Sequence, residues 1–156
     1  MKFDFTEIEE LSGNEAHIYS VTMEGDEETL LEQFFNENSK NKKELNILVS
    51  KILNMSQRTG CKRDFFKEGE GDIGDGVVAL KAQNLRLYGI YFNNSVVLFG
   101  SGGIKRTRTY QEDEKLYSKV KQVKAIAKEI NKAIKERTII IESDGRINIE
   151  NWENYE

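Results

Sequence analysis

The chain has 156 residues, 38% hydrophobic and 32% charged, with a net charge of −4, which fits one domain with a core of its own and a heavily charged surface. No apolar run approaches the ~18 residues of a membrane-spanning helix, and the opening Met1-Lys2-Phe3-Asp4 lacks a signal-peptide apolar region. The only cysteine is Cys61 and the only histidine His17, so an internal disulfide and a Cys/His zinc site are excluded, and a reducing cytoplasm is the expected location.

In chain order, Phe3, Phe5 and Ile8 alternate loosely, Ser12-Gly13-Asn14 signals a turn, and Ala16–Met23 alternates well. A first hairpin is predicted. His17 on its second strand reads as a structural histidine or as a general base. Asp26-Glu27-Glu28 marks a helix N-terminus, and Leu30, Leu31, Phe34 and Phe35 form an apolar stripe behind it. After a polar connector over 36–43, Leu45, Leu48, Val49, Ile52, Leu53 and Met55 predict a second helix from about Lys43 to Arg58, stopped by Gly60. The two helices are expected to pack on the sheet as an antiparallel pair.

Lys62-Arg63-Asp64-Phe65-Phe66-Lys67 is a basic-aromatic patch. It reads either as a base-stacking surface or as two phenylalanines entering the core. The segment 68–76, EGEGDIGDG, is a glycine- and acid-rich connector whose spacing is not that of an EF-hand calcium loop. Val77–Ala82 then predicts a strand. Leu85–Phe92 and Ser95–Phe99 predict a hairpin about an Asn93-Asn94 turn. That turn sets Arg86 opposite Ser101, Tyr88 opposite Phe99 and Ile90 opposite Val97, with Leu85, Leu87, Tyr91, Val96 and Leu98 on the other face.

Gly100, Gly102 and Gly103 lead into Lys105, Arg106, Thr107, Arg108, Thr109 and Tyr110. This cluster reads as a phosphate site or as a charged strand end that keeps the sheet edge soluble. On a straight strand Arg106, Arg108 and Tyr110 share one face, and Lys105 falls on the other. Glu112-Asp113-Glu114 starts a long helix with a buried stripe of Leu116, Val120, Val123, Ala127, Ile130 and Ile134. Beside it run Lys121, Lys124, Lys128, Lys132 and Lys135, either a solvated face or a contact surface for nucleic acid or an acidic protein partner. Thr138–Ile141 and Arg146–Ile149 flank Ser143-Asp144-Gly145 and predict a final hairpin, with Trp152 and Tyr155 capping it or sitting at an interface. The predicted fold is α+β, one domain over 1–156. It has a small, mostly antiparallel sheet, two N-terminal helices, one long C-terminal helix and an added C-terminal hairpin.

Charge is unevenly spread. Residues 1–40 hold two lysines against eleven carboxylates, whereas residues 81–137 hold thirteen cations against five carboxylates. So basic a segment inside an acidic chain indicates either a polyanionic or acidic partner, or an N-terminal part that balances the basic one within the molecule.

The order of an arginine-bearing strand, a hairpin, an apolar strand, glycines and a basic Ile104-Lys105-Arg106-Thr107 segment resembles the core of RelE/ParE-superfamily toxins, particularly the HigB-like branch. Arg86 matches the strand arginine, and Lys105, Arg106 and Thr107 match a Lys-Lys-Thr segment. The resemblance covers about residues 77–135. The chain departs from the pattern in its length, its acidity and the hairpin after the last helix. The resemblance implies a ribosome-associated mRNA endoribonuclease, silenced by a cognate antitoxin protein. Its chemistry would be attack of a ribose 2′-OH on the adjacent phosphate, without metal or cofactor. Arg86, Lys105, Arg106 and Arg108 would then neutralise the phosphate, and Tyr110 or a perturbed lysine would assist proton transfer. Lys81, Lys121, Lys124 and Lys128 would hold RNA. The alternatives are a non-catalytic member of the same fold that binds an acidic protein or RNA, and an unrelated α+β interaction module. No membrane role is expected, and a homodimer stays open.

Overall fold

The computed structural model describes residues 2–67, 76–108 and 113–152. Strands β1 (Phe3–Glu7), β2 (His17–Met23), β3 (Val77–Ala82), β4 (Leu85–Asn93) and β5 (Val96–Ile104) form one sheet in the order β1-β2-β5-β4-β3. Three of its pairings are antiparallel, and β2 runs parallel to β5. Helices α1 (Leu30–Glu37) and α2 (Lys42–Asn54) connect β2 to β3, and α3 (Glu114–Lys135) follows β5. A short hairpin of β6 (Ile140–Ile141) and β7 (Ile147–Asn148) closes the described chain. The fold is mixed α/β, and none of its described helices is long and apolar enough to cross a membrane.

Period-two alternation divides the strand side chains between two apolar clusters, one on each face of the sheet. Tyr19, Val21, Val77, Ala79, Ile90, Val96 and Leu98 meet Val120, Val123, Ala127 and Ile130 of α3 on one face. Ile18, Val78, Leu80, Leu87, Val97 and Phe99 meet Leu31, Phe34, Leu48 and Ile52 of α1 and α2 on the other. Sheet residues buried on both sides explain why β3, β4 and β5 read as nearly continuous apolar runs.

Helix α1 starts later than its acids imply. Thr29 is the N-cap, its side chain accepting from Glu32 N–H at 3.1 Å while the Glu32 carboxylate accepts from Thr29 N–H at 3.1 Å. This reciprocal pair satisfies two amides that no helical carbonyl can reach. Asp26 and Glu28 instead lie ahead of the helix and accept from Gln33 and Asn36. Helix α2 continues as one wider turn over Met55–Thr59 and stops at Gly60, whose φ of 79° suits a residue without Cβ. Trp152 is buried against Phe3 and Phe5, so the end of the described chain is held against β1.

The central hairpin differs from its sequence reading. Arg86 pairs with Gly103 rather than Ser101, Gly89 pairs with Phe99, Ile90 with Leu98, and Tyr91 with Val97. The turn residues are Asn94-Ser95. A slip of one residue moves a strand's whole side-chain set to the other face. Val96 and Leu98 therefore join Tyr88 and Ile90 on the α3 side, and Val97 and Phe99 join Leu85 and Leu87 on the other. Contacts at the turn set this register. Asn93 Oδ1 accepts from Ser95 N–H at 2.7 Å, Tyr91 donates its hydroxyl to Asn94 Oδ1 at 2.7 Å, and Asn94 carbonyl accepts from Cys61 N–H at 2.7 Å.

Cys61 is wholly buried beside this turn, and burial pushes its thiol up to about 12. Between roughly pH 8.5 and that value the unfolded thiol loses its proton while the folded one keeps it, so stability falls as pH rises through the window. Native protein is expected to resist maleimide at pH 8 and to react once unfolded in urea. The urea midpoint should fall between pH 8 and pH 10, and fall less in Cys61→Ala; fast labelling of the native protein would refute the burial.

Candidate anion-binding groove

Strand β5 ends at Ile104, and the chain turns away through a bend at Thr107-Arg108. Of the predicted cluster, Arg106 lines a groove beyond the strand end, whereas Lys105 and Arg108 are not among its lining residues. Arg106 and Arg108 are exposed and Lys105 half-buried, its N–H bonded to Asn84 carbonyl at 2.7 Å. Thr109 and Tyr110, with the connector 68–75 and Glu112, lie outside the described residues.

Beyond the end of β5 lies a groove of about 560 Å³. Gly102 and Gly103 form its floor, and Arg106, Lys115 and Lys119 line one side. Glu37, Lys40 and Asn41, from the end of α1 and the turn into α2, line the other. Among the described residues that line it, four are cations and two, Glu37 and Asp113, are carboxylates. Both carboxylates are engaged: Asp113 caps α3 by accepting from Leu116 N–H at 3.1 Å, and Glu37 binds Lys119 Nζ through both oxygens at 2.9 and 3.1 Å. Among the described residues, a Cβ on Gly103 would meet Leu116 Cδ1 alone, at an ordinary contact distance of 3.8 Å.

Arg86 is adjacent in the ladder but differently employed. It is 6% exposed, and its guanidinium donates to Gln83 carbonyl at 2.5 Å and to Leu85 carbonyl at 3.4 Å. Gln83 has a positive φ of 54°, so Arg86 braces the tight β3–β4 turn. Lys81 is its cross-strand neighbour, half-buried, and is not among the groove's lining residues.

The lysines on α3 divide. At roughly 100° per residue, Lys115 and Lys119 fall on one flank of the buried Leu116–Val120–Ala127 stripe, and Lys121, Lys124 and Lys128 on the other. The groove takes the first pair. Lys121 instead lies over the Tyr117 ring at 5.2 Å, and Lys128 is exposed. The sequence reading missed Lys40, Asn41, Lys115 and Lys119. The i, i+4 spacing of Lys115 and Lys119, soon after the basic cluster, could have pointed to that pair, whereas Lys40 and Asn41 carry no such signal.

His17 Nδ1 lies 2.6 Å from Glu7 Oε2 and pairs in the ladder with Val96, at the start of β5. At ~3.3 Å per residue the groove end of that strand is about 20 Å away, so His17 is not part of this cluster. Arg63 lies over the Tyr91 ring at 5.1 Å and Phe66 is buried, while Phe65 stays 41% exposed. The basic-aromatic patch thus divides between core and surface.

A mixed α/β sandwich with a cationic groove at the end of its central strand is what the fold and site define. Compared with known proteins, the chain matches no family model, no curated protein and no solved structure.

Proposed function

We propose that this chain is a RelE/ParE-like toxin of the HigB-like branch, an endoribonuclease that holds RNA phosphates in the groove beyond β5. The observation that carries the reading is the convergence of Arg106, Lys115, Lys119 and Lys40 on one groove with Gly102 and Gly103 in its floor. The order of strand, hairpin, basic segment and helix on which the resemblance rests also corresponds to β3, β4, β5 and α3. In-line attack by a ribose 2′-OH builds negative charge on the phosphate oxygens, and fixed cations stabilise that charge more in the transition state than in the ground state. In this reading Arg106, Arg108 and Lys105 meet the scissile phosphate, Lys115 and Lys119 hold its neighbour, and Tyr110 assists proton transfer. Arg86 supports the floor from the next strand. Messenger RNA in the ribosome is the substrate and a small antitoxin the silencing partner.

One observation favours the non-catalytic alternative. The groove's two carboxylates are both engaged, and Arg86, the strand arginine of the resemblance, is turned toward backbone carbonyls. A groove that binds RNA without cutting it needs neither. Expression of the parent is expected to arrest growth, and Arg106→Ala plus Arg108→Ala to relieve the arrest while leaving the protein folded. Binding of single-stranded RNA should weaken at least tenfold, with the slope of log K on log salt shallower by about 1.4, two lost phosphate contacts at ~0.7 each. A double variant as toxic as the parent overturns the site; RNA bound but uncut, with no growth arrest, selects the non-catalytic reading.

A further inference from the structure

Glu37 sits where a carboxylate is least favoured. It is the last residue of α1, whose aligned peptide dipoles leave partial negative charge at that end, and the last turn carries no basic residue to offset it. Its compensation comes from another element: Lys119 Nζ, one turn into α3, reaches both carboxylate oxygens, and both residues line the groove. The geometry of that contact is what a phosphate would make with the same ammonium group, two oxygens on one cation at hydrogen-bond distance.

We infer that Glu37 is an intramolecular stand-in for phosphate, an affinity-setting residue that occupies Lys119 until a polyanion displaces it. The inference rests on the anion-binding reading of the groove and adds which lysine is withheld and by what. Side chains of Lys119 and Glu37 are 31% and 48% exposed, so the pair is accessible to solvent. A pair so exposed adds little to stability. Its consequence falls instead on the groove, where releasing Lys119 adds one cation and removes one competing anion.

The test is a double-mutant cycle with a short single-stranded RNA as probe, using Glu37→Gln, Lys119→Gln and the double variant. Glu37→Gln is expected to bind three- to tenfold more tightly near 50 mM salt, because Lys119 no longer has to be drawn away from a carboxylate before it meets phosphate. In the Lys119→Gln background the same Glu37→Gln change should have less than a twofold effect, because the cation it frees is gone. An equal gain in both backgrounds means a general loss of negative charge and overturns the inference. Unchanged affinity in Glu37→Gln also overturns it. If the parent binds RNA in a salt-dependent way and Glu37→Gln binds no better, the gate fails and the groove stands. If neither binds at any salt concentration, the groove reading fails with it.

Discussion

Gly102→Ala is expected to unfold the protein at urea concentrations that leave Gly103→Ala fully folded. The two glycines are consecutive on β5 and face opposite demands. A Cβ on Gly102 would collide with the Arg86 carbonyl oxygen and stand 2.9 Å from the Arg86 carbonyl carbon. Both obstacles are backbone of the neighbouring strand, so no rotamer change relieves them. The pairing must open where the ladder is already irregular, between Leu87 and Gly89. Among the described residues, Gly103 has only the Leu116 methyl within reach, at ordinary contact distance. Forced displacement of buried backbone costs about 3 kcal/mol or more, whereas Gly103→Ala should stay within ~0.5 kcal/mol of the parent, because the added methyl packs in open space. Urea titrations followed by circular dichroism decide it. Equal midpoints for the two variants would mean that β4 and β5 do not approach as described.

How far the sequence discloses this molecule follows from the range of each signal. Elements are set by local periodicity, so the strands, the three described helices and the last hairpin are legible, down to the Asp113 start of α3. The Thr29-to-Glu32 cap was equally local but was masked by the louder acidic run before it. The register of the central hairpin was not legible. Asn93-Asn94 and Asn94-Ser95 are both acceptable turns, and the choice is made by Cys61, some thirty residues earlier, bonding to Asn94. The groove is non-local in the same way. Lys40 and Asn41 belong to a connector with no pattern of its own, brought to β5 only because α1 packs under it. Helical spacing shows that the α3 lysines form two flanks; which flank meets the arginines depends on the direction in which α3 leaves the sheet.

That distinction between local pattern and long-range placement bears most on Arg86. Its match to a strand arginine makes it a candidate for the phosphate, while its surroundings make it a brace. The two roles predict different measurements. Arg86→Ala removes a nearly buried side chain and leaves Gln83 carbonyl, in a turn with positive φ, without its charged donor. Loss of a charge-assisted hydrogen bond together with the packed side-chain stem is expected to lower stability by about 3 kcal/mol. Lys81 directly opposite offsets part of this, since removing Arg86 relieves a like-charge pair. Arg86→Lys should recover only part of the loss, because an ammonium group cannot reproduce the planar donor set of a guanidinium. At temperatures where Arg86→Ala remains folded, its RNA affinity and salt slope should match the parent within twofold. Arg106→Ala plus Arg108→Ala should show the reverse, parental stability and lost binding. A folded Arg86→Ala protein that has lost tenfold or more in RNA affinity would return Arg86 to the phosphate, and would require its guanidinium to leave the Gln83 carbonyl when RNA binds.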